Sequence, residues 1–178
     1  DSCVQEIAEE AGVAKPTVYN HLNDKENLFR HTMLAASEKA MAESLATIEL
    51  LREPAGDLRG LLRDVGYRLL RSYCDDRSWA LRRLFFAEGA RFPDLDCGVE
   101  RLYEALADRV ARLSLDGRLR VCDPAIVAEQ FFALLISPAE ARSRFGTRKL
   151  PDAELHTLAD AAVLTFLHAF GTNPPTPA

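Results

Sequence analysis

The first thirty residues carry the pattern that most constrains this chain, two short segments with helical spacing joined by a glycine. In the first segment, apolar residues recur at helical spacing and predict one buried stripe, formed by Val4, Ile7, Ala8 and Ala11. Gly12 follows where the chain must turn, because a residue without Cβ can adopt a positive φ. The spacing therefore predicts a helix-turn-helix.

The second segment is expected to begin a helix near Lys15. Pro16 is tolerated there because N–H groups in the first turn of a helix have no partner within it, so a residue without an N–H costs no hydrogen bond. Val18 and Leu22 lie four residues apart and would face inward. The polar residues left on the outside are Lys15, Thr17, Tyr19, Asn20 and His21. Because amides can read base edges and the other groups can reach phosphates, this face suits a DNA groove.

These residues also carry a family resemblance. The run IAEEAGVAKPTVYNHLNDKENLF resembles the DNA-binding region of TetR-type transcriptional regulators. The matching positions are Tyr19, His21, Leu22 (where an aromatic residue is usual), Lys25, Glu26, Leu28 and Phe29. The resemblance implies that Lys15 and Thr17 approach bases, whereas Tyr19, His21 and Lys25 hold phosphates. The alternative is a polar helical hairpin with no role in DNA binding.

Two features depart from the TetR pattern. Ala14 stands where Ser or Thr usually caps the recognition helix, which weakens the start of that helix by about 1 kcal/mol. The chain begins at Asp1, within the first helix of the motif, whereas the family has one more helix upstream. We therefore expect the DNA-binding module to be incomplete in this chain, with its first helix absent.

Composition restricts the class of protein. An apolar content of 48% is typical of globular proteins, and no run of 18 apolar residues or signal peptide is visible, so we expect a soluble cytoplasmic protein without a membrane partner. The four cysteines are scattered without metal-ligand spacing, so no metal or redox site is expected. The net charge of −5 is unusual for a DNA-binding protein, but Lys15 is the sole charged residue between Ala11 and Asn23.

Apolar residues keep helical spacing through the rest of the chain, which predicts an all-α fold. Pro138 and Gly146 are expected to interrupt the stretch between about Ile136 and Pro151. The expected helices run from Asp24 to about Leu51, from Asp57 to the Asp75-Asp76 loop, across Trp79 to Phe86, from about Asp94 to Leu115, from Asp123 to about Ile136, and from Pro151 to Gly171. We assign residues 1–46 to the helix-turn-helix module with the start of a linker helix, and residues 47–178 to a ligand-binding and dimerisation domain.

The last two long helices are apolar on nearly all faces, as IVAEQFFALLI and AAVLTFLHAF show. Such a helix must be covered on both sides, which predicts a homodimer through four helices, unless its own chain wraps it. TetR-type proteins dimerise through their last two helices, so the resemblance implies the same. The segments FPDL and DPAIVAEQFFALL also look like the ligand-binding half of AefR/AcrR-type members. The expected dimer contacts are Phe131, Leu135, Leu155, Ala162 and Phe166.

The sequence holds no glycine-rich phosphate loop, G-x-S-x-G or H-E-x-x-H, so we expect neither an enzyme nor a cofactor. Aromatic residues of the middle helices can form pocket walls, although each of them can equally belong to the core. Few polar groups accompany them, which predicts an apolar or aromatic effector. Arg82 or Arg83 could meet an anionic group on it if one of them points inward. The expected ligand-binding residues are Tyr67, Trp79, Arg82, Phe86 and Tyr103.

Three functions are compatible with these patterns. The first is a ligand-responsive transcriptional regulator, expected to be a repressor that binds a palindromic operator as a dimer. The second is a helical ligand-binding or interaction module that has lost DNA binding, which the acidic charge and Ala14 favour. The third is a small all-α enzyme, for which the sequence nominates no residues.

Overall fold

The computed structural model describes residues 8–52, 56–92 and 98–172, and all regular structure in these ranges is helical. Residues 8–11 are helical and precede the turn at Gly12. The longer elements are α1 (Lys15–Glu49) with a 3-10 turn (Leu50–Arg52), α2 (Leu58–Tyr73), α3 (Asp76–Glu88), α4 (Val99–Leu115), α5 (Pro124–Ser143) and α6 (Asp152–Phe170). An isolated bridge joins Leu119 and Gly171, and the all-α prediction is confirmed.

Aspartates cap the starts of two of these helices, at Asp123 as the sequence predicts and at Asp75, which was predicted to lie in a loop. The carboxylate of Asp75 accepts hydrogen bonds from the backbone N–H groups of Arg77 and Ser78, at 2.8 and 2.9 Å. Asp123 accepts from Ala125 in the same way, and Pro124 follows it at the first helical position. Both carboxylates thereby satisfy N–H groups that have no partner within the helix.

Helix α1 differs from the prediction. The sequence predicts a helix start at Asp24, but α1 runs without a break from Lys15 to Glu49, over 35 residues and about 52 Å. After Pro16 the helix contains no glycine or proline, so nothing forces the backbone out of the helical conformation. The predicted recognition helix is therefore the first part of a continuous rod, and the third helix of the module is fused to it.

Helix α5 also exceeds its predicted length. It passes Ile136 and continues to Ser143, with Pro138 inside it. Proline costs the helix one hydrogen bond, but Leu135 and Ala139 on either side of it are completely buried. Tertiary packing therefore carries the helix through the residue that was expected to interrupt it.

The main core lies among the helices of the C-terminal region, where α2 packs on α6, α4 on α5, and α5 on α6. Helix α1 joins this core at its far end through Ile48 and Leu51, which are 0% and 1% exposed. Its start, which carries the predicted DNA-binding residues, lies more than six turns away from them. Displacements at the core end of α1 can therefore reach the predicted recognition segment through one rigid helix.

No helix in the described ranges combines the length and the apolar character that crossing a membrane would require.

Candidate nucleic-acid interface and effector region

The predicted turn has the expected backbone. Gly12 adopts φ +66°, and the N–H groups of Gly12 and Val13 donate to the carbonyls of Glu9 and Ala8, at 3.2 and 3.0 Å. Ala8 is buried as predicted, but Ala11 is exposed, so the inward stripe is narrower than the spacing indicated. The positions predicted for the rest of the stripe, Val4 and Ile7, lie outside the described residues.

The start of α1 is uncapped, as the sequence predicts. Ala14 is extended at φ −70° and ψ 142°, and its methyl group offers no acceptor to the first turn. Its carbonyl accepts the N–H of Thr17 at 2.8 Å. The first-turn N–H groups therefore have no side-chain acceptor at the N-cap, and the positive end of the helix dipole is available to an anion.

Most of the predicted DNA contacts lie at the surface. Thr17, His21 and Lys25 follow one another at intervals of four, so they form one exposed row along α1. Asn20 is exposed beside this row, whereas Lys15, half-buried at the helix start, and the exposed Tyr19 lie four residues apart on the other side of the helix. The row presents a hydroxyl, an imidazole and an ammonium group at one-turn spacing, an arrangement that can follow a phosphate backbone.

The residues predicted as dimer contacts all lie in the core of the single chain. Each of them is only 0% to 5% exposed within a single chain, so none has surface to offer a second copy; they are Phe131, Leu135, Leu155, Ala162 and Phe166. The rings of Phe131 and Phe166 pack edge-on at 4.9 Å between α5 and α6. The helices are apolar on this side because they cover each other within one chain.

The outer face of α6 is also nearly free of charge, and sequence reasoning missed it. The residues exposed at intervals of four are Ala153, Thr157, Ala161, Thr165 and Ala169. Thr157 and Thr165 donate their hydroxyls to the carbonyls four residues earlier, at 2.8 and 3.0 Å. A flat face with its hydroxyls already bonded can pack closely against another helix. The repeat of small residues was the available signal.

Among the predicted ligand-binding residues, the structure brings Trp79 and Arg82 together, with Tyr73 as a third member. The Arg82 guanidinium lies 3.6 Å from the centre of the Tyr73 ring and 4.1 Å from that of Trp79. It also donates to the Tyr73 carbonyl at 2.5 Å, and burial lowers the pKa of Arg82. The Tyr73 hydroxyl donates to Glu140 at 2.6 Å, and burial followed by this bond raises the pKa of Tyr73.

The other predicted ligand-binding residues have separate surroundings. The Tyr67 ring stacks on His156 at 3.8 Å, and its hydroxyl donates to Asp152 at 2.6 Å, where α2 meets α6. The Tyr103 ring packs edge-on against Phe132 at 5.0 Å. Phe86 is 85% exposed on α3, because the helix turns this side chain away from the core. The five predicted residues therefore do not form one site in this structure.

Two family models match the sequence. Residues 3–32 match the model described as bacterial regulatory proteins, tetR family, and residues 60–172 match the AefR-like transcriptional repressor, C-terminal domain. Together they cover the helix-turn-helix and the helical domain behind it. No curated protein matches the sequence.

Three solved structures are similar over most of the chain. A TetR-family transcriptional regulator from Mesorhizobium loti is 32% identical, with a TM-score of 0.76 over 95% of this chain and 86% of that one. The flavonoid-responsive regulator FrrA is 25% identical, with a TM-score of 0.65 over 94% and 85%. A TetR family transcriptional regulator from Pseudomonas syringae pv. tomato is 25% identical, with a TM-score of 0.62 over 96% and 86%.

Proposed function

The chain belongs to the TetR family of transcriptional regulators, which bind DNA and are not enzymes. We propose that it is a repressor that binds a palindromic operator as a homodimer. A small apolar or aromatic effector would release it from the operator. The protein would act in the cytoplasm, where the DNA is. The observation that carries the proposal is the exposed row of Thr17, His21 and Lys25 at the start of α1. The other end of this helix is buried in the core, so its start is the end that can contact DNA.

The DNA contacts follow from the chemistry of that row. Lys25, His21 and Tyr19 would hold phosphates and so place the helix in the groove, while Thr17 and Lys15 approach base edges. Asn20 lies beside them and can bond an adenine through its amide. From Ala11 to Asn23 the sequence contains no acid, so this stretch does not repel DNA. We keep residues 1–46 as the proposed DNA-binding module and residues 47–178 as the proposed ligand-binding and dimerisation domain.

The homodimer would form through the outer faces of α5 and α6. On α6 the face of small residues defined above is exposed, and on α5 Ile126, Ala133 and Ser137 are exposed. Two copies of such a pair give a four-helix interface with close backbone approach. A dimer of this kind would present two recognition segments, and a two-fold axis requires a palindromic operator.

The effector would bind among α2, α3 and α4, near the cluster of Tyr73, Trp79 and Arg82. This cluster joins the end of α2 to α3, so an aromatic molecule that displaces one of its rings would shift the helices that flank α1. The similarity to a flavonoid-responsive regulator supports an aromatic effector. A ligand rich in polar groups would leave many of them unpaired there, at about 1–3 kcal/mol each.

The test is operator binding by the full-length protein. Fragments of the DNA upstream of its own gene are titrated at several salt concentrations, with fluorescence anisotropy as the readout, before and after addition of a flavonoid. We expect a palindromic fragment to bind with a steep salt dependence and to be released by an aromatic compound. Binding that favours no DNA fragment, or that becomes tighter when the compound is added, would contradict the proposal of an operator-specific repressor released by an aromatic effector.

The competing proposal is a helical module that has lost DNA binding. The uncapped start of α1 and the net charge of −5 favour it. A folded dimer that binds aromatic compounds but no DNA fragment, even at low salt, would establish this alternative.

A further inference from the structure

A cleft lies between the first half of α1 and the end of α3, separate from the region proposed for the effector. Its volume is about 310 Å³, at the small end of the range for ligand sites, which suits one aromatic ring with its substituents. The residues that line it are Lys25, Glu26, Phe29, Glu88, Arg91 and Phe92. Two facing elements therefore supply both apolar and charged walls.

The apolar wall is held in place by several contacts. Phe92 is 4% exposed, and its ring centre lies 5.1 Å from that of Phe29. The turn that follows α3 fixes its backbone, because the Phe92 N–H donates to the Glu88 carbonyl at 3.0 Å. The guanidinium groups of Arg30 and Arg91 lie 4.7 and 5.2 Å from the Phe92 ring centre. The cleft thus has an ordered aromatic wall.

Of the four charged residues that line the cleft, two form an ion pair with each other. Arg91 and Glu26 form an ion pair across it at 2.5 Å, so these two charges neutralise each other. Within the described part of the chain, neither Lys25 nor Glu88 has an ion-pair partner. A molecule that offers an anionic group to Lys25 and a hydrogen-bond donor to Glu88 would complement these two charges.

We propose that this cleft binds a hydroxylated aromatic carboxylate, such as 4-hydroxybenzoate. Its ring would pack against Phe29 and Phe92, its carboxylate would accept from the Lys25 ammonium, and its hydroxyl would donate to the Glu88 carboxylate. A hydroxyl suits this end better than an ammonium group, because the Arg30 guanidinium already lies over the Phe92 ring and would repel a second cation.

The site has a regulatory consequence that rests on the proposed function. Lys25 is also a proposed phosphate contact, so a carboxylate held by its ammonium would compete with the operator for the same charge. The compound would then lower DNA affinity directly at the recognition end of α1, without any change passing through the core.

The binding test is calorimetric titration of the full chain, without DNA, with 4-hydroxybenzoate, benzoate and 4-hydroxybenzamide. In the wild type we expect 4-hydroxybenzoate to bind most tightly, by about tenfold over either analogue. Lys25→Gln should abolish the preference for the acid over the amide, and Glu88→Gln should abolish the preference for 4-hydroxybenzoate over benzoate. Lys39→Gln, an exposed lysine on the same helix about 21 Å away, is the matched control.

Each outcome decides the proposal. No binding, or binding that both variants leave unchanged, would overturn it. Binding with the expected losses supports it even if the protein binds no DNA, in which case the proposed function fails and the site stands. If the protein binds DNA, 4-hydroxybenzoate should weaken DNA binding by the wild type. A DNA affinity that a saturating concentration of the compound leaves unchanged would overturn the proposed competition for Lys25.

Discussion

The guanidinium of Arg82 lies 3.6 Å above the ring of Tyr73 and donates a hydrogen bond to the carbonyl of the same residue. Tyr73 is the last residue of α2, and Arg82 lies in the middle of α3. One side chain therefore contacts both the ring and the last-turn carbonyl of the preceding helix. This contact fixes the corner between the two helices in the proposed effector region.

Replacing Arg82 with alanine should destabilise the fold by about 1–2 kcal/mol, because two partly buried cation–π contacts and a helix-end hydrogen bond are lost. Urea unfolding followed by circular dichroism measures the change. Arg83→Ala is the matched control, since Arg83 is exposed on the same helix and should shift stability by less than about 0.5 kcal/mol. Equal effects of the two substitutions would contradict a special role for Arg82.

Gly146→Ala should cost more stability than Gly117→Ala. Both glycines have a positive φ, +79° and +68°, so each alanine pays about 1 kcal/mol or more for the backbone. A Cβ on Gly146 would also lie 2.3 Å from the Trp79 ring, whereas nothing lies within 4 Å of one on Gly117. Thermal unfolding of both variants isolates the steric cost. Equal melting temperatures would show that the loop yields and Trp79 is not confined.

Two adjacent alanines of α6 distinguish the dimer face from the core. Ala161→Arg should give a folded monomer in analytical ultracentrifugation, because this residue is exposed on the face of small residues. Ala162→Arg should instead give unfolded or aggregated protein, because Ala162 is 3% exposed in the single chain. A stable dimer of the Ala161→Arg variant would exclude this face from the interface.

Substitutions in the exposed row of α1 should separate affinity from specificity. Lys25→Gln should weaken binding to all DNA sequences alike and reduce the slope of log affinity against log salt by about one. Thr17→Ala should change which sequence is preferred, with a smaller effect on the salt slope. Anisotropy titrations with operator and scrambled duplexes measure both. A sequence-selective loss in Lys25→Gln would reverse the assigned roles.

The sequence by itself determined those features that depend on local chemistry. Gly12 turns the chain because it lacks a Cβ, Asp75 and Asp123 cap helices through their own carboxylates, and helical spacing excluded sheets from the described fold. The helix-turn-helix and the family were readable for the same reason, since Tyr19, His21 and Lys25 lie within one short segment.

Tertiary structure decided which side of each apolar helix faces the core and which local signals are overridden. Phe131 and Phe166 lie in the core of the single chain, because α5 and α6 cover each other. Packing around Leu135 and Ala139 carries α5 past Pro138. The cluster at Arg82 and the cleft between Phe29 and Phe92 join residues distant in sequence. Such contacts depend on how helices pack together, which the periodicity of one helix does not specify.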